Sequence, residues 1–206
     1  MLIIGVCGAS GSGKSTLARI LNEQLGAQSS IITQDCYYLD RGHLPFEERA
    51  RSNYDEPAAF DHDLLLKDIE ALKNGHPITK KGYDYVNHRR ADTDELLPPT
   101  EVMIFEGIHA FYDERLRNLM DLKIYIHVDP DICLLRRVRR DINKRGRQID
   151  GIVEQYLTTV KPMFEQHIRG YEQFADVIAR GGKNQRITDI LVFYIQNGMG
   201  TAPIKQ

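Results

Sequence analysis

The chain has 206 residues, 42% of them hydrophobic, enough to bury one substantial core and cramped for two, so a single domain over 1–206 is expected. With 27 Lys and Arg against 29 Asp and Glu, the formal net charge is -2, which argues against nucleic acid or an anionic membrane as a partner. Cys7, Cys36 and Cys133 are odd in number and widely spaced. That argues against a disulfide framework or structural zinc and favours a reducing, cytoplasmic setting.

The first predicted strand is 2–6. It is apolar but has no basic leader and breaks at once into glycines, so it reads as a buried strand and not a signal peptide. No apolar run approaches the roughly 20 residues that span a bilayer. Directly after the strand comes Gly8-Ala9-Ser10-Gly11-Ser12-Gly13-Lys14-Ser15, a complete G-x-x-x-x-G-K-[ST] run opening a predicted helix over 15–25. Small residues let the backbone wrap a phosphate, successive N–H groups point inward, and the helix dipole adds attraction. Gly8 through Ser15, with Thr16 next on the helix, are therefore the expected nucleotide contacts. Lys14 is expected at the β/γ-phosphates, and the Ser15 hydroxyl on Mg²⁺.

A second strand, 31–33, runs toward Asp35, a carboxylate suited to accept the proton of an attacking hydroxyl. A helix is predicted over 60–73. The stretch 78–99 is polar and Tyr-rich and reads as a small β-hairpin over the main sheet. Strand 102–105 ends in Glu106, at the edge where open α/β sheets place ligands, and this acid is the natural partner of Ser15 for the metal.

Strand 122–128 precedes a helix over 130–144 whose run Arg136-Arg137-Val138-Arg139-Arg140 continues through Lys144 and Arg145 to Arg147. Arg137, Arg140 and Lys144 share a helix face, and Gly146 offers a hinge. A lid over about 136–150 is expected, with guanidinium groups neutralising charge on a transferred phosphoryl group. A helix over 149–171, a strand over 176–179 and a helix over 184–196 complete an α/β fold. Its parallel sheet carries helices on both faces.

These motifs together resemble the uridine kinase family, also called uridine–cytidine kinases, over nearly the whole chain. The resemblance rests on the phosphate loop, Gln34-Asp35-Cys36-Tyr37-Tyr38, Asn53-Tyr54-Asp55-Glu56-Pro57, Tyr83-Asp84-Tyr85 with His88, Phe105-Glu106-Gly107-Ile108, the basic helix, Gln155-Tyr156 and Arg180-Gly181-Gly182-Lys183-Asn184. It implies Asp35 as base, with Lys14 and Arg140 assisting, and a metal held by Ser15 and Glu106. It implies Asp55, Arg137 and Gln155 at the ribose, Tyr54 and Tyr85 lining the base pocket, and Tyr38 and Ile108 among the other substrate contacts. Tyr83, His88 and Arg147 would read the base edge, and Arg145 would sit near the phosphates.

The activity so implied is ATP- or GTP-dependent phosphorylation of uridine and cytidine by a homotetramer. A neutral imidazole at His88 suits both bases, because position 4 is an acceptor in uracil and a donor in cytosine. The chain departs from the family pattern at Lys80-Lys81-Gly82, at His109, where an aliphatic residue is usual, at His127, and at His167-Ile168-Arg169-Gly170. Two other readings compete. One is a kinase of another small hydroxyl, resembling phosphoribulokinase or pantothenate kinase. The other is a GTP-driven switch, which needs an N-K-x-D motif that Asn143-Lys144-Arg145-Gly146 does not supply.

Overall fold

A computed structural model describes residues 1–198. The chain opens with β1 (Leu2–Gly8), α1 (Lys14–Leu25) and β2 (Ser29–Thr33), followed by a 3-10 turn at Gln34–Tyr37. Next come α2 (Phe46–Arg51), α3 (His62–Lys73) and four two-residue strands, β3 (Ile78–Thr79), β4 (Tyr83–Asp84), β5 (Arg89–Arg90) and β6 (Leu96–Leu97). Then follow β7 (Val102–Gly107), α4 (Glu114–Leu119), β8 (Leu122–His127) and α5 (Pro130–Arg145). The rest comprises α6 (Ile149–Gln155), α7 (Lys161–Gln166), β9 (Val177–Arg180) and α8 (Gln185–Gly198).

Five strands form one sheet in the order β2-β7-β1-β8-β9, and every neighbouring pair is parallel. Side chains of β1 alternate between two cores, as a strand covered on both faces requires. Ile3 and Cys7 pack with Tyr37, Phe60 and the Leu65, Ile69 and Leu72 face of α3. Ile4 and Val6 pack on the other side with Leu17 and Leu21 of α1 and Leu191 and Ile195 of α8. Helices thus cover both faces, and the carboxyl ends of the strands remain as the place for a site.

Several boundaries differ from the sequence expectation. β2 begins at Ser29, two residues earlier than predicted, and ends at Thr33 as predicted, so Asp35 stands in the 3-10 turn after the strand. The helix predicted from Phe60 begins at His62, because Asp61 caps it by accepting the Leu64 N–H at 3.0 Å while Phe60 stays extended and buried.

The continuous helix predicted over 149–171 is interrupted. α6 passes into a wider π turn at Tyr156–Val160, α7 ends at Gln166, and Ile168–Phe174 is a 3-10 segment. Pro162 is the cause we assign: it has no N–H to donate and its ring crowds the carbonyl four residues back, which a π turn accommodates. The stretch predicted as one hairpin holds two nested antiparallel pairs, β3 with β6 and β4 with β5. Among the described residues no helix is long and apolar enough to cross a membrane.

Candidate active site

The loop between β1 and α1 is built for an anion. Gly13 adopts φ 105°, and a Cβ there would come within 3.0 Å of the Gly182 backbone nitrogen, while a Cβ on Gly8 would sit 2.7 Å from the Ile126 carbonyl oxygen. Glycine is what lets the loop lie this close to both walls. Helix α1 has no side-chain cap and no acidic residue in its first turn, so its leading N–H groups and dipole stay uncompensated. These features fit a nucleotide phosphate.

Beside the loop, the Ser15 hydroxyl donates to Glu106 Oε1 over 3.0 Å. Glu106 is buried, and burial raises its carboxyl pKa against the opposing charge of Lys14. Among the described residues no cluster of three or more His, Cys, Asp or Glu could hold a metal by itself. Ser15 and Glu106 offer two hard oxygen donors, which suits Mg²⁺, a cation that completes its shell with phosphate and water.

Every residue expected to bind substrate lines one cavity of about 470 Å³, together with Lys14, Ser15, Asp35 and Glu106. Asp35 accepts a hydrogen bond from the Tyr85 hydroxyl at 3.0 Å. Burial and then the Asp35 charge push the Tyr85 phenol far up, so it remains a donor. At the far end the Tyr54 and His88 rings stack with centroids 5.1 Å apart, and Tyr38 packs against both Tyr54 and Tyr83. His88 has φ 50°, the left-handed conformation, and its pKa is lowered to about 4 by burial and then by Arg147 and Arg145.

Between these ends, Asp55 lies 3.9 Å from Arg137 Nη1 and accepts from the Thr159 hydroxyl at 3.1 Å. Gln155 Oε1 accepts from Arg137 at 2.9 Å and from Arg147 at 2.8 Å, and Arg137 also donates to the Ser10 hydroxyl at 2.9 Å. A carboxylate, a carbonyl and fixed guanidinium donors around one opening are suited to a diol.

A second cavity, of about 710 Å³, is lined by the loop together with Gly181, Gly182 and Lys183. Gly11, Gly13 and Thr16 face it, and it shares Lys14, Ser15 and Arg140 with the first. Gly8, Ala9 and Ser12 line neither. Arg145, expected near the phosphates, stands over the Tyr85 ring, 4.1 Å from its centroid, and lines the first cavity together with Lys14 and Ser15.

Asp141, Thr159 and Gly182 were not among the expected site residues, and Arg136 was expected only as part of the lid. Asp141 is fully buried and is the anion around which the basic helix is arranged. Its carboxylate meets Arg140 at 2.8 Å, Arg145 at 3.3 Å, and Arg137 and Arg147 at 3.6 Å. Burial pushes its pKa up, but the charges of Arg140, Arg137 and Arg145 outweigh this and hold it below the usual value. The available signal was its spacing of four from both Arg137 and Arg145 on one helix.

A family model described as Phosphoribulokinase / Uridine kinase family matches residues 3–188. The uridine kinase of Geobacillus sp. (strain WCH70) is 47% identical over 197 residues, covering 95% of this chain and 93% of its own. That of Escherichia coli (strain K12) is 47% identical over 196 residues, covering 92% of each chain. Among solved structures, a possible uridine kinase from Bacillus stearothermophilus aligns with a TM-score of 0.60 at 19% identity, over 86% of this chain and 88% of that one. At that identity it speaks for the fold alone, but the sequence relatives and the family match carry further: this chain belongs to the phosphoribulokinase / uridine kinase family.

Proposed function

We propose that the protein transfers the γ-phosphoryl group of ATP to the 5′-hydroxyl of uridine and cytidine, giving UMP and CMP in pyrimidine salvage. The observation that carries this is the meeting of the two cavities at Lys14, Ser15 and Arg140, with Asp35 on the side away from Gly182. A triphosphate in the second cavity would present its terminal group to a hydroxyl in the first. The uridine kinases at 47% identity support the choice of substrate.

Phosphoryl transfer needs positioning and charge neutralisation more than covalent chemistry. We assign Asp35 to take the hydroxyl proton, Lys14 and Arg140 to neutralise the transferred group, and the loop to hold the phosphates. Asp55, Arg137 and Gln155 hold the ribose, and Tyr38, Tyr54, Tyr83, His88 and Arg147 enclose the pyrimidine. Mg²⁺, held by Ser15 and Glu106, would supply charge neutralisation on the phosphate oxygens. GTP is an alternative donor. The enzyme would act as one catalytic unit in a cytoplasmic homotetramer.

A substrate with its own phosphate, as phosphoribulokinase would take, calls for uncommitted cations at the far end of the first cavity. Arg137 and Arg147 are already held by Gln155, Asp55 and Asp141. That favours a neutral nucleoside. The test is ADP release with uridine, cytidine, thymidine and adenosine. Turnover is expected with the first two only, and Asp35→Asn should lose about 10²–10⁴-fold in kcat while still binding ATP. Equal rates with adenosine, or an active Asp35→Asn enzyme, would overturn the assignment.

A further inference from the structure

The segment that carries Asp55 is tied down from behind by two imidazole rings. His109 Nε2 lies 2.7 Å from the Asp55 carbonyl oxygen, and His62 Nε2 lies 2.9 Å from the Pro57 carbonyl oxygen. A carbonyl only accepts, so each ring carries its proton on Nε2. In His109 this makes Nδ1 the acceptor, and the Tyr171 hydroxyl donates to it over 2.8 Å. The His109 side chain is fully buried, and burial lowers its pKa to about 3, in keeping with a neutral ring of fixed tautomer.

Asp55 is thereby held at three points. Its N–H donates to Asn53 Oδ1 at 3.0 Å, its Oδ2 accepts from Thr159 at 3.1 Å, and its carbonyl is held by His109. What remains is Oδ1, the oxygen 3.9 Å from Arg137. His109 itself does not line the substrate cavity. Its backbone plays a separate part, since its N–H donates to Gln34 Oε1 at 2.8 Å, and Gln34 directly precedes Asp35. Ring and main chain of one residue thus serve opposite sides of the site.

We propose that His109, oriented by Tyr171, is a positioning residue that sets the affinity for the nucleoside through the Asp55 carbonyl, leaving the chemical step to the Asp35 side. This rests on the assignment of Asp55 to the ribose. A buried carbonyl deprived of its donor is driven to reorient, and Asp55 would carry its carboxylate with it.

The side chain and the main chain separate cleanly by mutation. His109→Leu removes the ring contacts but keeps the N–H to Gln34. We expect a rise of about tenfold in the uridine KM, with the ATP KM and kcat within about twofold of wild type. His109→Gln, which can again present an amide N–H to the Asp55 carbonyl, should recover most of the loss. Tyr171→Phe, a milder change for a case in which His109→Leu does not fold, should raise the same KM alone by about threefold.

An unchanged uridine KM in both His109→Leu and Tyr171→Phe would overturn the proposal. So would parallel damage to the uridine KM, ATP KM and kcat, which would mark a merely structural residue, and so would a Gln variant no better than Leu. Failure of the wild type to phosphorylate any pyrimidine nucleoside would instead sink the functional assignment on which the proposal stands.

Discussion

The Tyr85 hydroxyl donates to Asp35 Oδ2 across 3.0 Å, joining a residue of the loop after β4 to the turn that follows β2. The donor is itself fixed, since the Arg145 guanidinium lies 4.1 Å from the Tyr85 ring centroid. Tyr85 thereby restricts the rotation of the carboxylate assigned as base.

Removing that hydroxyl should cost orientation and not the base itself. Tyr85→Phe is expected to lower kcat by about tenfold, well short of the loss in Asp35→Asn, because a base misplaced in angle still accepts a proton. Steady-state rates with saturating uridine and ATP test this. A Tyr85→Phe enzyme with full kcat would mean that the carboxylate is oriented by something else.

Asp141 should matter to stability before it matters to rate. Four guanidinium groups, from Arg137, Arg140, Arg145 and Arg147, lie within 3.6 Å of its buried carboxylate. Asp141→Asn removes the one carboxylate that all four share, leaving only Asp55 beside Arg137 at 3.9 Å, and breaking a buried pair from one side costs about 3–5 kcal/mol. The pH dependence has a definite sign. The folded pKa lies below the ordinary 3.8, so the stabilisation is complete above that value and fades as pH falls through the lower, folded one. Urea melts at neutral pH should therefore separate wild type from variant, and the gap should narrow in strong acid. A gap that widened on acidification would contradict the ion-pair account.

What could be read from the chain without coordinates, and what could not, follows from the range of each constraint. The phosphate loop was legible because its requirements are local: a strand, glycines and a helix start within eight consecutive positions, 8–15. The place of Glu106 at the carboxyl edge of the sheet was legible because it closes an apolar strand. The function of Asp141 was hidden because its partners converge only once the helix C-terminus and the turn at Gly146 are formed. His109 was visible only as a departure from a family pattern, since its meaning lies in Asp55, 54 positions away. The break at Pro162 was misjudged because amphipathic spacing continues across it, although the missing N–H was there to be noticed.

His88 should stay uncharged under all working conditions. Its pKa of about 4, against 6.5 for a free imidazole, means that the unfolded chain binds a proton between these values while the folded one does not. Stability contributed here is complete above the higher value and is lost as pH falls toward the lower. Within about pH 5.5 to 8 the KM values for uridine and cytidine should then show no inflection. His88→Asn, a residue that tolerates the left-handed backbone, should weaken the acid-side stability loss and raise both KM values. An inflection near 6.5 in the wild-type KM profile would show a titrating ring and end this reading.

Gly182 should control the donor side as His109 controls the acceptor side. Its Cα stands so close to the loop that a Cβ would collide with the Gly13 carbonyl, and a Cβ on Gly13 would in turn meet the Gly182 backbone at 3.0 to 3.1 Å. The obstacle is main chain on both sides, so no side-chain rotation relieves it. Gly182→Ala must therefore move either the loop or the segment after β9, and both line the second cavity. The expected result is a rise of at least about tenfold in the ATP KM, with the uridine KM nearly unchanged because Asp55 and the tyrosines lie in the other cavity. Ligand-induced melting shifts give an independent reading, in which protection by ATP should be lost and protection by uridine kept. If ATP protected the variant as well as the wild type, the close approach of these two backbones would have no part in holding the phosphates.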